Sequence, residues 1–332
     1  MYHNINQWLL SDNPFNNIHS DNFDTIALDL FQYQYHHNPI YQKYVQAIHC
    51  NPKDVTNILK IPFLPILFFK THAVKTHSFD AEMIFESSGT TTTINSHHHI
   101  KDLNLYEQSF LINFEKTYGD PSQYVFLCLL PSYLERNNSS LVYMAQDFIK
   151  KSQYPESGFY LNDFQRLSES ILQLKQQKRK IILLGVTFAL LDFAEEYPMD
   201  LNEVIVMETG GMKGRREEWS KPQIHNFLKK QWNLTTVHSE YGMTELLSQA
   251  YSKGKGVFEP SVSLKVLTRS QNDPFEIDEL GTGALNIIDL ANIHSCSFIA
   301  TDDLVRIHPD HTFEILGRLD HSALRGCSLM AL

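Results

Sequence analysis

The chain has 332 residues, 42% of them hydrophobic, enough to bury a sizeable core in one large domain or two packed subdomains. Its 28 basic residues against 38 acidic ones leave a net charge of −10 with no basic stripe, which argues against a nucleic-acid surface. An aromatic content of 12% argues against disorder, and the longest apolar runs, 61–69 and 181–191, are too short to span a bilayer. The cysteines Cys50, Cys128, Cys296 and Cys327 follow no zinc or disulfide spacing. Free thiols fit a reducing compartment, and Met1-Tyr2-His3-Asn4 does not open a signal peptide, so a soluble, cytoplasmic protein is expected.

Taken in order, Phe23, Ile26, Ala27, Leu30 and Phe31 recur at helical spacing, and the pattern stops near Asn38-Pro39. A second helix carries Tyr41, Tyr44, Val45 and Ile48, and both helices are expected to pack on the main body. The prolines of Ile61-Pro62-Phe63-Leu64-Pro65 predict an extended crossing segment. Met83-Ile84-Phe85 reads as a short strand. It runs into Glu86-Ser87-Ser88-Gly89-Thr90-Thr91-Thr92-Thr93, in which six of the last seven residues carry hydroxyls. Such a segment can wrap a triphosphate through backbone N–H and side-chain O–H groups, or be an ordinary Ser/Thr-rich loop. It is not a Walker loop, because no Gly-Lys-Ser/Thr follows. Ser96-His97-His98-His99 resembles a metal site, but sequence neighbours do not converge on one ion, so a solvated helix entrance is expected.

After a helix bearing Leu103, Phe110, Leu111, Phe114 and Tyr118, the pattern becomes α/β. Strands are expected at 124–130, 180–186, 203–207 and 234–238. They alternate with helices marked by Leu141–Phe148, Asp163–Leu174, Phe188–Glu196 and Trp219–Trp232. This alternation predicts a parallel sheet covered on both faces, with ligands beyond the carboxyl ends of its strands, where Gly210-Gly211 and 240–245 fall. From about residue 257 the helical period fades, and four strands at 261–267, 284–289, 297–307 and 312–316 predict a smaller β-rich lobe. The expected division is an α/β core over 1–256 with its N-terminal helices, a β-rich subdomain over 257–320 and a short mobile tail over 321–332.

Tyr241-Gly242-Met243-Thr244-Glu245 follows a strand. Its Tyr ring can stack on a purine, its Gly admits close backbone approach, its Thr hydroxyl can contact an α-phosphate, and its Glu can hold Mg²⁺ beside it. A plain strand-to-helix turn capped by Thr244 fits the same residues. Asp303, in Thr301-Asp302-Asp303-Leu304, can accept from both hydroxyls of a ribose or be a turn acid. Arg318, in Gly317-Arg318-Leu319-Asp320, supplies a cation close behind or is a surface charge.

These four elements, in this order, resemble the AMP-forming adenylating enzymes. More narrowly, 61–64 with Phe68-Phe69-Lys70-Thr71-His72, 86–91, Leu130-Pro131-Ser132-Tyr133-Leu134-Glu135-Arg136 and Arg325-Gly326-Cys327-Ser328-Leu329 resemble the LuxE-type acyl-protein synthetases. The resemblance implies the large N-terminal-type domain of adenylate-forming enzymes, with ATP and Mg²⁺ as cofactors and a fatty acid as substrate. It places ATP phosphates on Ser87, Ser88, Gly89, Thr90, Thr91 and Thr92, and adenine near Gly210, Gly211 and Tyr241. Gly242 and Met243 belong to the same nucleotide-binding turn, Thr244 faces the α-phosphate, Glu245 holds the metal, and Asp303 holds the ribose with Arg318 beside it. Cys327 is implied as the acyl acceptor, handing the acyl group to a partner protein such as a reductase or carrier. Arg325 favours its thiolate and Gly326 gives it mobility.

Larger adenylating enzymes continue past the position of Asp320 with a lid of roughly a hundred residues that offers a lysine to the reaction. Here twelve residues follow, so the lid is expected to be lacking: either adenylation proceeds without that lysine, or a cation such as Lys213 or Lys70 substitutes, or a partner supplies it. Two alternatives stay open: an acyl- or aryl-CoA ligase resembling phenylacetate–CoA ligase, and a non-catalytic module that binds nucleotide or acyl chains.

Overall fold

The computed structural model describes residues 5, 8, 13–87, 94–130, 138–210 and 219–319. Ser88, Gly89, Thr90, Thr91, Thr92, Gly211, Lys213 and Cys327, with the segments 131–136 and 325–329, lie outside the described residues. The architecture is α/β, as the alternating pattern predicts. In chain order the strands are β1 Leu64–Pro65, β2 Met83–Glu86, β3 His97–Ile100, β4 Tyr124–Leu129 and β5 Gly158–Phe159. There follow β6 Lys180–Val186, β7 Ile205–Thr209, β8 His238–Tyr241, β9 Ala250–Ser252 and β10 Val257–Pro260. The last five are β11 Leu264–Arg269, β12 Ile277–Asp278, β13 Gly281–Asp289, β14 Phe298–Ile307 and β15 Phe313–Arg318.

One 13-stranded sheet runs in the order β12-β11-β13-β14-β15-β10-β9-β8-β7-β6-β4-β5, with β1 added beside β14. From β5 to β8 the pairing is parallel. From β8 onward every pair in that order is antiparallel, so β10 joins the two halves into one hydrogen-bonded surface. β4 is buried along its whole length and β6 at all but its first residue, because both faces of the parallel half are covered. Phe110 and Phe114 of helix Leu103–Tyr118 meet Phe148 of helix Ser140–Lys151, which stacks on Phe126 of β4 at 5.2 Å. Truncating a ring such as Phe114 to Ala costs about 3–5 kcal/mol in such a core.

The helix ends follow from local chemistry. Asn38 ends the first long helix, Ser20–His37, and starts the second, Pro39–Ala47, accepting from the N–H groups of Ile40 and Tyr41. Its amide also donates to the Ser295 carbonyl at 2.9 Å, and Gln34 donates to Asn292 and Ile293, which fastens the N-terminal helices to the antiparallel half. The proline-bearing segment 61–65 is extended, and Leu64 and Pro65 pair in parallel with Ile299 and Ala300.

Two expectations are corrected. The strand expected at 234–238 starts at His238, because the preceding helix runs to Trp232, ends on Asn233 in the left-handed region, and needs the next residues to turn. The histidine run is no helix entrance: His97, His98 and His99 form β3, paired with β2, and alternate pleating buries His98 at 1% exposure. No helix among the described residues is long and apolar enough to cross a membrane.

Candidate functional site

The expected site residues that the structure describes gather around the carboxyl ends of β7 and β8. Gly210, just past β7, has φ +69°, a conformation that favours glycine, and its carbonyl accepts from Thr187 Oγ1 at 3.1 Å. Tyr241 ends β8. Its ring packs edge-on against Phe258 of β10 and Phe313 of β15, and its hydroxyl donates to Asp303 Oδ2 at 2.7 Å. Burial and then the Asp303 carboxylate drive the Tyr241 phenol well above its ordinary pKa, so it stays a donor. Arg318, cross-strand partner of Asp303, donates from Nε to Asp303 Oδ1 at 3.0 Å. Asp303 is therefore gripped at both oxygens, with 7% of its surface exposed.

The hydroxyl-rich segment springs from a clamped neck. Ser87 N donates to the Ser96 carbonyl at 3.1 Å, and Ser96 N donates back to Ser87 Oγ at 2.8 Å. The strand after this neck reaches directly to the turn after β8. Ser96 hydrogen-bonds the Glu245 carboxyl, and His98 Nδ1 meets the Thr244 carbonyl at 2.8 Å. Since a carbonyl only accepts, Nδ1 carries the proton. Burial lowers the His98 pKa to about 4, so the ring is neutral at physiological pH. Asn292 Nδ2 holds the Glu245 carbonyl from the other side at 2.8 Å.

Glu245 is 5% exposed, and burial raises its pKa against the Ser96 hydrogen bond and the charges of Arg318 and Lys70. Its oxygens are hard donors of the type that a divalent cation takes. Lys70, exposed, is the one of the two suggested substitute lysines that falls among the described residues, and its charge reaches Glu245. Among the described residues no group of three or more His, Cys, Asp or Glu is arranged to hold a metal ion by itself.

Beneath the turn lies an acidic pair that sequence reasoning did not single out. Glu240 and Glu208 stand on neighbouring strands one register step apart, Glu240 opposite Thr209 and Glu208 opposite Ser239. A Cβ on Gly242 would press on Glu240 Oε1, so any larger residue there needs the Glu240 carboxyl to shift. Thr209 Oγ1 donates to Glu240 Oε2. Burial, reinforced by the Glu208 charge, lifts Glu240 to about 7 despite Thr209 and Lys221. Glu208 is the opposite case. Burial alone would raise it, but Lys221, His225 and Ser239 outweigh burial and hold it near 2. Thr187 bridges this network to Gly210, its one hydroxyl proton shared between Glu208 Oε2, 3.2 Å away, and the glycine carbonyl. Met243, half-buried, packs on the apolar core. The alternation of β3 was the available signal for His98; nothing local in the sequence marks Glu208 or Lys221.

No protein-family model matches the sequence, and no curated protein matches it by sequence. Among solved structures the chain is similar to ATP-bound MatB from Rhodopseudomonas palustris, with TM-score 0.52 and 14% identity, over 73% of this chain and 49% of that one. It is similar to the long-chain-fatty-acid-CoA ligase FadD1 from Archaeoglobus fulgidus, with TM-score 0.52 and 14% identity, over 74% of this chain and 52% of that one. The chain thus spans about half the length of the solved structures it matches, and across that half it shares their fold.

Proposed function

We propose that the protein activates a carboxylic acid with ATP and passes the acyl group to a protein thiol, its own Cys327, and on to a partner protein. The observation that carries this reading is the convergence of Tyr241, Asp303, Arg318, Thr244 and Glu245 at one end of the sheet, on a fold shared with an ATP-bound structure. In the first half-reaction a carboxylate oxygen of the acid bonds to the α-phosphorus, the bond to pyrophosphate breaks, and an acyl adenylate forms. In the second, the thiolate bonds to the acyl carbon, the anhydride C–O bond breaks, and AMP leaves. Asp303 accepts from the ribose, oriented by Tyr241 and Arg318, and adenine lies against Gly210, Gly211 and the Tyr241–Gly242–Met243 turn. Ser87, Ser88, Gly89, Thr90, Thr91 and Thr92 hold the phosphates, and Thr244 faces the α-phosphate. Glu245 would hold Mg²⁺, which when bound neutralises charge building on the phosphates.

The test uses radiolabelled fatty acid with ATP. Label is expected on wild type and not on Cys327→Ser, while acid-dependent pyrophosphate exchange persists in both. Label retained by Cys327→Ser on another cysteine overturns the acceptor assignment, and absence of exchange with every acid tried overturns the activation step. A CoA-ligase reading is favoured by the likeness to FadD1. It predicts acyl-CoA formation from free CoA at a rate indifferent to Cys327→Ser.

A further inference from the structure

A cleft of about 660 Å³ opens on the side of β14 away from Asp303, between the segment following helix Pro39–Ala47 and strands β11, β12 and β14. Its size lies within the ordinary range of small-molecule sites. Ala300 and Asp302 line it, whereas Asp303, one residue on, hydrogen-bonds Tyr241 and Arg318; alternate pleating separates the two sites by the thickness of one strand. The cleft is thus distinct from the candidate nucleotide site. Its occupancy does not depend on the reaction proposed above.

The lining has two characters. Val55, Ile61, Pro62 and Phe63 are buried and give an apolar wall, while Phe275, 61% exposed, stands on the open side. The charged residues of the lining cancel: Arg269 and Lys60 against Asp54 and Asp302. Asp54 and Lys60 are exposed to solvent, whereas Arg269, Asp302 and the Tyr44 hydroxyl are half-buried and close enough to act on one another. Arg269 is fixed in place, donating to Asn286 Oδ1 and, at 2.9 Å, to the Thr301 carbonyl.

We infer that this cleft binds an elongated, uncharged apolar molecule bearing one hydrogen-bonding head group. The apolar wall rewards a hydrocarbon body by about 25 cal/mol for each Å² it removes from water. A carboxylate head drawn to Arg269 meets Asp302 on the same wall, and loses its hydration without a net gain in charge pairing. An alcohol, aldehyde or ester head meets donors and an acceptor in the Tyr44 hydroxyl, the guanidinium and the carboxylate, at no such cost.

Cys50 lines the cleft and is half-buried, whereas Cys128 and Cys296 are wholly buried, so the cleft carries its own reporter. The full chain is alkylated with iodoacetamide at about pH 8, where a fatty acid is ionised, and modification of each cysteine is followed by peptide mass. Saturating 1-decanol is expected to slow Cys50 alkylation by about fivefold or more and to raise the melting temperature, with decanoate much weaker in both. Ile48→Trp, which fills the cleft, is expected to abolish the decanol-induced rise. No slowing and no thermal shift with decanol, or decanoate acting as strongly as decanol, overturns the inference. So does a decanol response that survives Ile48→Trp. None of these readouts involves ATP or acid activation, so their failure leaves the proposed reaction untouched.

Discussion

Tyr241 at the end of β8 donates its hydroxyl to Asp303 on β14, although three strands, β9, β10 and β15, lie between them in the sheet. At about 4.8 Å per strand step a flat sheet would hold β8 and β14 roughly 19 Å apart, three times the reach of a tyrosine. The antiparallel half therefore curls over the ends of the parallel strands. Phe258 and Phe313, stacked 5.4 Å apart beneath the Tyr241 ring, fill the concave side of the bend. The curl is what turns two distant segments into one site.

Tyr241→Phe removes the donor from a buried carboxylate and leaves Asp303 with Arg318 alone. The expected cost is about 1–3 kcal/mol, read as a roughly tenfold to hundredfold weaker affinity for ATP, with folding stability falling less. Calorimetric titration with ATP beside thermal melts of the same variant checks it. Equal ATP affinity in the variant would separate this hydrogen bond from nucleotide binding.

His98 and Thr244 make the second long-range tie, from the strand after the hydroxyl-rich segment to the turn bearing Thr244 and Glu245. His98→Asn keeps an N–H donor of similar reach, whereas His98→Leu keeps the volume and loses the donor. The expected outcome is a fall of about tenfold or more in kcat of pyrophosphate exchange for the leucine variant, with substantial rescue in the asparagine one and little change in KM for the acid. Parallel loss in both variants would mean that the ring packs the core and does not position the turn.

Gly242→Ala sets a methyl against the Glu240 carboxyl, which must shift to admit it. We expect a destabilisation of about 1–3 kcal/mol from this overpacking. Adding Glu240→Ala should recover much of it, because the clashing atoms belong to that one side chain. A double-mutant cycle in urea measures the coupling, and additivity of the two changes would remove the assigned cause.

The pH dependence of stability carries a signature of Glu240. Its folded pKa, about 7, lies above its unfolded value near 4.5. The protonated form is thus favoured in the folded state, and the associated stability is present at low pH and lost as pH rises from the unfolded pKa through about 7. For the full difference this is at most about 3 kcal/mol. Glu240→Gln cannot ionise, so its melting temperature should fall less than that of wild type between about pH 5 and pH 9. Superimposable profiles for the two proteins would contradict the shift. His98 and His238 work in the opposite direction. Burial lowers both to about 4, so wild type should lose stability as pH drops from the unfolded histidine value toward 4.

The sequence by itself determined what local physics can write. The continuous apolar runs of β4 and β6 announced strands buried on both faces, Asn38-Pro39 divided two helices, Asp163 capped another, and close prolines at 62 and 65 kept that segment extended. The types and order of the candidate site residues were also legible, because hydroxyls, an aromatic, a carboxylate and a cation name their chemistry without a fold. Which of them meet was decided only in three dimensions. The His98–Thr244 bond spans 146 residues and the Tyr241–Asp303 bond 62; the first exists because the β2–β3 pair packs against the turn after β8, the second because the large sheet bends. The same holds for the protonation of the buried acids. Glu208 and Glu240 are both buried carboxyls on neighbouring strands, only one register step apart, yet Lys221, His225 and Ser239 overcome burial at the first and hold it near 2, while at the second burial and the Glu208 charge prevail and lift it to about 7. Periodicity reports which face of an element is apolar. It carries no information about which distant side chain will supply the charge or the proton opposite it, since that depends on the packing of elements the local pattern does not encode.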